Sequence, residues 1–261
     1  MRFDLLGPLE ARRNGRTAEL GGPRQRAVFA ALLVRANKLA SVDYLAEAVW
    51  DTPPASPESN LRTYVAGLRR CLREAGDVED RLLTRAGGYL LRVEPGERDL
   101  DLFDRYASAA EAAARLHRYS DALEYYQQAS ALWRGRAGEG LRVGALLHAE
   151  LLALEDRRTT LAERQAQVHA ELGEHDQAAS ELRELAARNP LRESLWAQAM
   201  RALAHAGRRA EALEAYLQIR RHLVETLGVE PGAVLRELHQ RILRGDFPGD
   251  AVFTAHTRIF G

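Results

Sequence analysis

Four arginines, Arg62, Arg69, Arg70 and Arg73, stand with Thr63 and Ala66 on one side of a helical stretch. Its other side is an apolar stripe, Leu61, Val65, Leu68 and Leu72. Guanidinium groups spaced along one helix face can meet phosphates or guanine edges in a major groove. A solvated arginine face has the same pattern, so the helix alone does not decide between them. Arg85, in a short turn with Gly87 and Gly88, is the second candidate, because an arginine at a hairpin tip can enter a narrow minor groove. Its plainer reading is an ordinary exposed side chain. Trp50 reads first as core, although its indole N–H could also donate to a phosphate, and Cys71, beside Leu72, reads as packing.

Catalytic and metal chemistry find little to stand on. The histidines, His117, His169 and His175 among them, are scattered without H-E-x-x-H or paired Cys/His spacing and read as surface or packing residues. There is no Walker loop, G-x-G-x-x-G or G-x-S-x-G, and neither an enzyme site nor a cofactor is expected. A single cysteine excludes an internal disulfide framework and suits a reducing cytoplasm. The N-terminus meets Asp4 at once and lacks a signal peptide's apolar core, and no apolar run approaches a membrane span. A soluble, cytoplasmic protein is expected. Net charge is zero, but residues 1–98 hold 16 Arg/Lys against 13 Asp/Glu, leaving 21 against 24 in the rest. That asymmetry places any anion-binding face in the first third. Only Lys38 among the 37 basic residues is lysine, as a GC-rich genome would give, so basic contacts are made by planar, bidentate-capable groups.

The elements that must position these side chains follow from pattern. Phe3–Leu6, Leu9–Ala11 and Thr17–Leu20 read as short strands, with Asn14-Gly15 a two-residue hairpin turn. Gly21-Gly22-Pro23 opens a helix over Arg24–Ala36. Ser41 is an N-cap for a second, Val42–Trp50, and Pro53 and Pro54 prevent its continuation. A third runs from Ser56-Pro57 to about Ala75, and two strand-like pieces follow around Gly87-Gly88. Three helices and a hairpin, in that order, make a winged helix-turn-helix over residues 1–94.

After Pro95-Gly96 the chain turns alanine- and leucine-rich, and a repeat emerges. Leu172-Gly173-Glu174-His175-Asp176-Gln177-Ala178 recurs as Ala206-Gly207-Arg208-Arg209-Ala210-Glu211-Ala212, 34 residues on. Leu116-His117-Arg118-Tyr119-Ser120-Asp121-Ala122 is an earlier copy with histidine in the glycine place. A 34-residue period is that of TPR helix pairs. An all-α, TPR-like domain is expected over residues 99–245, with a loose tail at 246–261. Trp133, Trp196, Tyr125, Tyr126 and Tyr216 could line a peptide-binding concave face or simply pack between helices.

Several segments, in order, resemble the Streptomyces antibiotic regulatory protein (SARP) family. They are Leu6-Gly7-Pro8-Leu9, Gly22-Pro23-Arg24-Gln25-Arg26-Ala27, Ser41-Val42-Asp43-Tyr44-Leu45 and Tyr64-Val65-Ala66-Gly67-Leu68-Arg69-Arg70. Leu83-Thr84-Arg85-Ala86-Gly87-Gly88-Tyr89 and Leu227-Gly228-Val229-Glu230-Pro231-Gly232 complete the set. The resemblance covers about residues 1–245. It implies a mainly α protein, an OmpR-type winged helix joined to a TPR-like bacterial transcriptional activation domain. It further implies a short, stand-alone member without a nucleotide-binding or phosphopeptide-binding module after residue 245. Members bind direct repeats in promoter DNA as two or more protomers, contact the RNA polymerase holoenzyme through sigma and core subunits, and activate antibiotic biosynthetic clusters. The resemblance implies that Arg62, Thr63, Ala66 and Gly67 face bases. Tyr64, Arg69, Arg70 and Trp50 match backbone-contacting positions, Thr84, Arg85 and Gly87 belong to the wing, and the loop from Asp51, Thr52, Pro53, Pro54, Ala55 and Ser56 to Ser59 faces polymerase. Where the family pattern has arginine, this chain has Gly67, so readout leans on Arg62, Thr63 and the wing, or on DNA shape. The alternative function is a TPR-type adaptor in which the winged helix only docks.

Overall fold

The computed structural model describes residues 1–247; the expected tail lies outside the described residues apart from Asp246 and Phe247, and Phe247 is buried. The fold is mainly helical, with short antiparallel strands in the first third. The chain packs as two compact units. One takes residues 1–112 with 124–158, the other residues 113–123 with the chain from Thr159 onward.

The first unit opens with β1 (Arg2–Asp4), β2 (Glu10–Arg13) and β3 (Arg16–Thr17), an antiparallel sheet in that order, Phe3 opposite Ala11 and Arg12 opposite Thr17. Asn14 and Gly15 both take positive φ, as their turn requires. β3 ends at Thr17 rather than running on to Leu20, whose side chain is already committed to the core. Three helices follow, α1 (Pro23–Val34), α2 (Val42–Val49) and α3 (Pro57–Glu74). The Ser41 hydroxyl caps α2 by accepting from the Tyr44 N–H at 3.1 Å. Pro57 sits in the first turn of α3, where its missing N–H costs nothing. β5 (Leu82–Arg85) and β6 (Gly88–Leu91) form the wing, and a two-residue strand, β4 (Ala40–Ser41), pairs with β6 to give the order β4-β6-β5. β4 was not expected: two residues carry no alternating pattern, and Ala40 is extended only because it lies opposite Tyr89. Buried Phe3, Phe29, Leu32, Leu45, Leu61 and Leu68 form the core beneath these helices.

Two buried polar groups fix the ends of this unit. Arg81, at the entrance to β5, binds Asp77 at 3.1 Å and Glu97 at 2.5 Å. Asp99, in the first turn of α4 (Asp99–Arg115), accepts the N–H groups of Leu5 and Leu6 at 2.6 and 2.7 Å. Burial pushes its carboxyl up to about 6, against the opposing pull of those two N–H groups. The later part of the chain is helical: α5 (Tyr119–Ser130), α6 (Ala145–Glu171), α7 (His175–Arg188), α8 (Glu193–His205), α9 (Arg209–Leu227) and α10 (Ala233–Arg244).

The sequence repeat is a repeat of geometry. Gly173 and Gly207 take φ of +79° and +73° between helices, and His117, in the corresponding place, takes +57°. Each is followed by the same hydrogen bond, from Arg118 to Ala113 (2.9 Å), Glu174 to His169 (2.9 Å) and Arg208 to Leu203 (2.8 Å). The chain thus holds a left-handed residue at this turn even where it is not glycine. Within the second unit, α7 to α10 and the end of α6 share one alanine-rich core that includes Ala166, Ala178, Ala202, Ala212, Trp196 and Leu223.

Candidate nucleic-acid interface

The long helix α3 is amphipathic, and the structure buries the stripe that the spacing selected. Leu61, Val65, Leu68 and Leu72 are inside, each at most 3% exposed. On the opposite side Arg62, Thr63, Ala66, Arg70 and Arg73 are exposed. Arg62 reaches back to Glu58 at 3.3 Å and Arg70 forward to Glu74 at 3.8 Å. Such exposed i,i+4 pairs are worth a few tenths of a kcal/mol, about 0.3–0.5. Both guanidiniums can therefore be turned to a phosphate or a base at little cost.

The wing is built beside this helix. Gly87 takes φ +80° at its turn, and Gly88 lies so close to β4 that a Cβ there would fall 2.1 Å from the Ala40 carbonyl oxygen. Only glycine fits that crossing. Thr84, Arg85 and Gly87 are exposed at the tip, with the Arg85 guanidinium no more than loosely tethered, 3.3 Å from the Thr84 carbonyl. A groove of 630 Å³ separates the end of α3 from β5, with Arg69 and Arg73 on one wall and Thr84 and Arg85 on the other. Glu79 and Asp80 also line it.

Three of the expected site residues have more to do inside the fold than their pattern suggested. Arg69 donates through Nε to the Leu82 carbonyl at 2.8 Å and through Nη2 to the Thr84 hydroxyl at 2.9 Å, tying α3 to the wing. Trp50 is 9% exposed at the end of α2, its ring 6.2 Å from that of half-buried Tyr64. Gly67 is only half exposed, because the Gln25 side chain of α1 lies against it. The loop from Asp51 to Ser56 is exposed except at half-buried Pro54.

Nothing local in the sequence signals how the segment after α5 seats itself against α2. Gly144 donates its N–H to the Ala48 carbonyl at 2.8 Å, and a Cβ on it would meet the Glu47 carbonyl oxygen at 2.3 Å. Tyr44 donates to Glu150 at 2.7 Å while Arg35 covers its ring at 3.7 Å from the centroid. These contacts tie positions about 100 residues apart. The aromatic candidates for a concave face resolve as packing. Trp133, Trp196, Tyr126 and Tyr216 are buried and Tyr125 half-buried, with Trp133 edge-on to Phe103 and Tyr216 stacked on His239. Among the described residues no group of three His, Cys, Asp or Glu side chains is placed to hold a metal ion, and no helix is long and apolar enough to cross a membrane.

Comparison with known proteins agrees with this architecture. Residues 98–243 match the bacterial transcriptional activator domain family, and residues 16–91 match the C-terminal domain of transcriptional regulatory proteins. The chain is 38% identical to the regulatory protein DnrI of Streptomyces peucetius, over 95% of this chain and 94% of that one. It is also 38% identical to the regulatory protein AfsR of Streptomyces griseus, over 94% of this chain but only 25% of that longer protein. The structure of Mycobacterium tuberculosis EmbR in complex with a low affinity phosphopeptide superimposes with a TM-score of 0.84 at 32% identity, covering 96% of this chain and 67% of that one. Both matched families are of transcriptional regulators. With both domains matched and relatives of this likeness, the chain belongs to the SARP family of DNA-binding transcriptional activators, an OmpR-type winged helix followed by a bacterial transcriptional activator domain.

Proposed function

We propose that this protein is a cytoplasmic, pathway-specific activator that binds direct repeats upstream of promoters in an antibiotic or related biosynthetic cluster and recruits RNA polymerase there. The observation that carries the reading is the joint placement of α3 and the wing. Arg73, at the end of the exposed arginine face, and Arg85, at the exposed wing tip, line one groove, and Arg69 ties the helix to the wing. In this reading α3 enters the major groove, with Arg62, Thr63 and Ala66 toward bases and Arg70 toward phosphate, and Arg85 enters the adjoining minor groove. The loop Asp51–Ser56 faces polymerase, and two or more protomers occupy successive repeats. The winged-helix domain ends near residue 94 and the activator domain runs over 99–245.

Sequencing of chromatin fragments bound by the protein identifies the promoters, and mobility shifts on those fragments test the geometry. Arg85→Ala is expected to weaken binding about tenfold where the flanking pairs are A·T-rich and little elsewhere. Arg70→Ala is expected to weaken all fragments alike and to lower the salt slope by about 0.9. Undiminished affinity in both variants would overturn the reading. So would a protein that shifts no fragment at low salt yet holds a stable protein partner, which is the adaptor's signature.

A further inference from the structure

Gly67 leaves a gap on the outward side of α3, and the structure puts another side chain into it. A Cβ at Gly67 would lie 2.8 Å from Oε1, 3.0 Å from Nε2 and 3.1 Å from Cδ of Gln25. A Cβ at Gly21 would meet the same carboxamide at 2.7 Å. The Gln25 amide therefore lies in a slot between two glycines, one before α1 and one on α3, and either glycine replaced by a larger residue would expel it. Its position matters as much as its fit. Gly67 follows Ala66 on α3, and on the helical wheel it falls between the exposed face of Thr63 and Arg70 and the Cys71 flank. The amide is thus held at the margin of the base-facing surface, at the level of its first side-chain atoms.

What the amide does within the fold is slight. Gln25 stands third in α1, where a glutamine ordinarily reaches back to the N-cap N–H, and it makes no such bond. Its sole hydrogen bond among the described residues is Nε2 to the Cys71 thiol at 3.7 Å, a weak acceptor, and Oε1 accepts none. Gln25 is half-buried, and its Oε1 is without a partner, so the amide keeps an acceptor to offer. Ala66 and Gly67 also leave this part of α3 nearly bare, which lets the helix approach base edges closely.

We propose that Gln25 is a specificity-determining residue: it lends its carboxamide to the base-reading face of α3 at the place Gly67 leaves empty, and there selects an A·T pair. A glutamine amide presents one donor and one acceptor in the spacing of adenine N6 and N7. A guanidinium on residue 67 itself would instead prefer the two acceptors of guanine, so an amide here reads a different base. The inference rests on α3 entering the major groove, and the test separates the two.

The experiment is selection from a pool of randomised duplexes by the full chain, the Gln25→Ala and Gln25→Met variants, and Arg70→Ala. Methionine fills the slot without an amide, so it keeps the packing that alanine loses. Both Gln25 variants are expected to lose preference at a single base pair per repeat, to bind the selected site about tenfold more weakly, and to keep the wild-type salt slope. A profile unchanged in Gln25→Met, or a loss spread evenly over all sequences, would overturn the assignment while leaving the groove reading intact. Failure of the groove reading looks different: the wild-type chain itself then selects no sequence, Arg70→Ala changes nothing, and both claims fall.

Discussion

Asp99→Asn gives a direct test of how the start of α4 is held to the end of β1. One oxygen of Asp99 accepts both the Leu5 and Leu6 N–H groups, while Oδ1 is buried without a hydrogen-bond partner. Asp99 is 1% exposed, and burial pushes its carboxyl from an ordinary 3.8 up to about 6. A carboxyl raised in the folded state holds its proton where the unfolded chain has lost it. Between pH 3.8 and about 6 the folded protein binds the extra proton, so stability falls as pH rises through that window and is flat above it. The gap corresponds to about 3 kcal/mol at roughly 1.36 kcal/mol per pH unit. Asparagine keeps an acceptor for the two N–H groups but places an amide nitrogen where Oδ1 has no partner, at a cost of about 1–3 kcal/mol. Absolute stability at pH 7 therefore changes little, and the pH dependence is the informative quantity. Urea unfolding of wild type and Asp99→Asn at intervals from pH 4 to 7.5 gives the difference between two curves. Asp4, whose burial is outweighed by Arg2 and Arg12, and Glu97, whose burial is outweighed by the N-terminus and Arg81, contribute with the opposite sign to both curves; Glu97 cancels, while Asp4, whose charge also raises Asp99, is part of the measured difference. Wild type is expected to lose about 2.4 kcal/mol relative to the variant between pH 4 and 7, the remainder of the roughly 3 kcal/mol lying below pH 4. Parallel curves would refute the argument, because they would mean that the two N–H groups fully offset burial.

Two other perturbations bear on the wing. Arg69→Ala removes the bonds to Leu82 and Thr84 and should cost about 1 kcal/mol of stability by urea unfolding, with Arg69→Lys failing to restore it because a lysine cannot span both acceptors. An unchanged unfolding midpoint together with weaker DNA binding would instead make Arg69 a simple phosphate contact. Gly88→Ala should cost about 1–3 kcal/mol, since a Cβ 2.1 Å from the Ala40 oxygen forces β4 from β6, and an unaltered thermal midpoint would show that the hairpin yields freely.

Periodicity and local caps carried most of the architecture into the sequence. The spacing of Leu61, Val65, Leu68 and Leu72 dictates which side of α3 is dry, because one face of a helix must be buried for the helix to be stable. Asn14-Gly15 and Ser41 are equally legible, since each acts on its own neighbours. The 34-residue spacing holds between Gly173 and Gly207; the earlier copy lies 56 residues before Gly173, with His117 in the glycine place, and its left-handed backbone shows that the turn is set by its flanking helices rather than by glycine alone. Nothing local announces β4, which is a strand only by virtue of Tyr89 and Gly88 beside it. Aromatic residues such as Trp133 and Tyr216 fit a groove and a core equally well at the level of pattern, and only packing separates the two.

The interface itself shows where such reading stops. A helical wheel says which way a residue points but not what already occupies that direction. Arg69 points outward and is nonetheless engaged by two oxygens of the wing. Gly67 has no side chain to point, yet its place is filled by Gln25, whose amide bonds to a thiol 46 residues further along the chain. Substitutions on a recognition helix therefore cannot be interpreted one position at a time. In the proposed interface the surface offered to a duplex is assembled from α3, the wing and the first turn of α1 together. A glycine in one element sets what a glutamine in another is free to do.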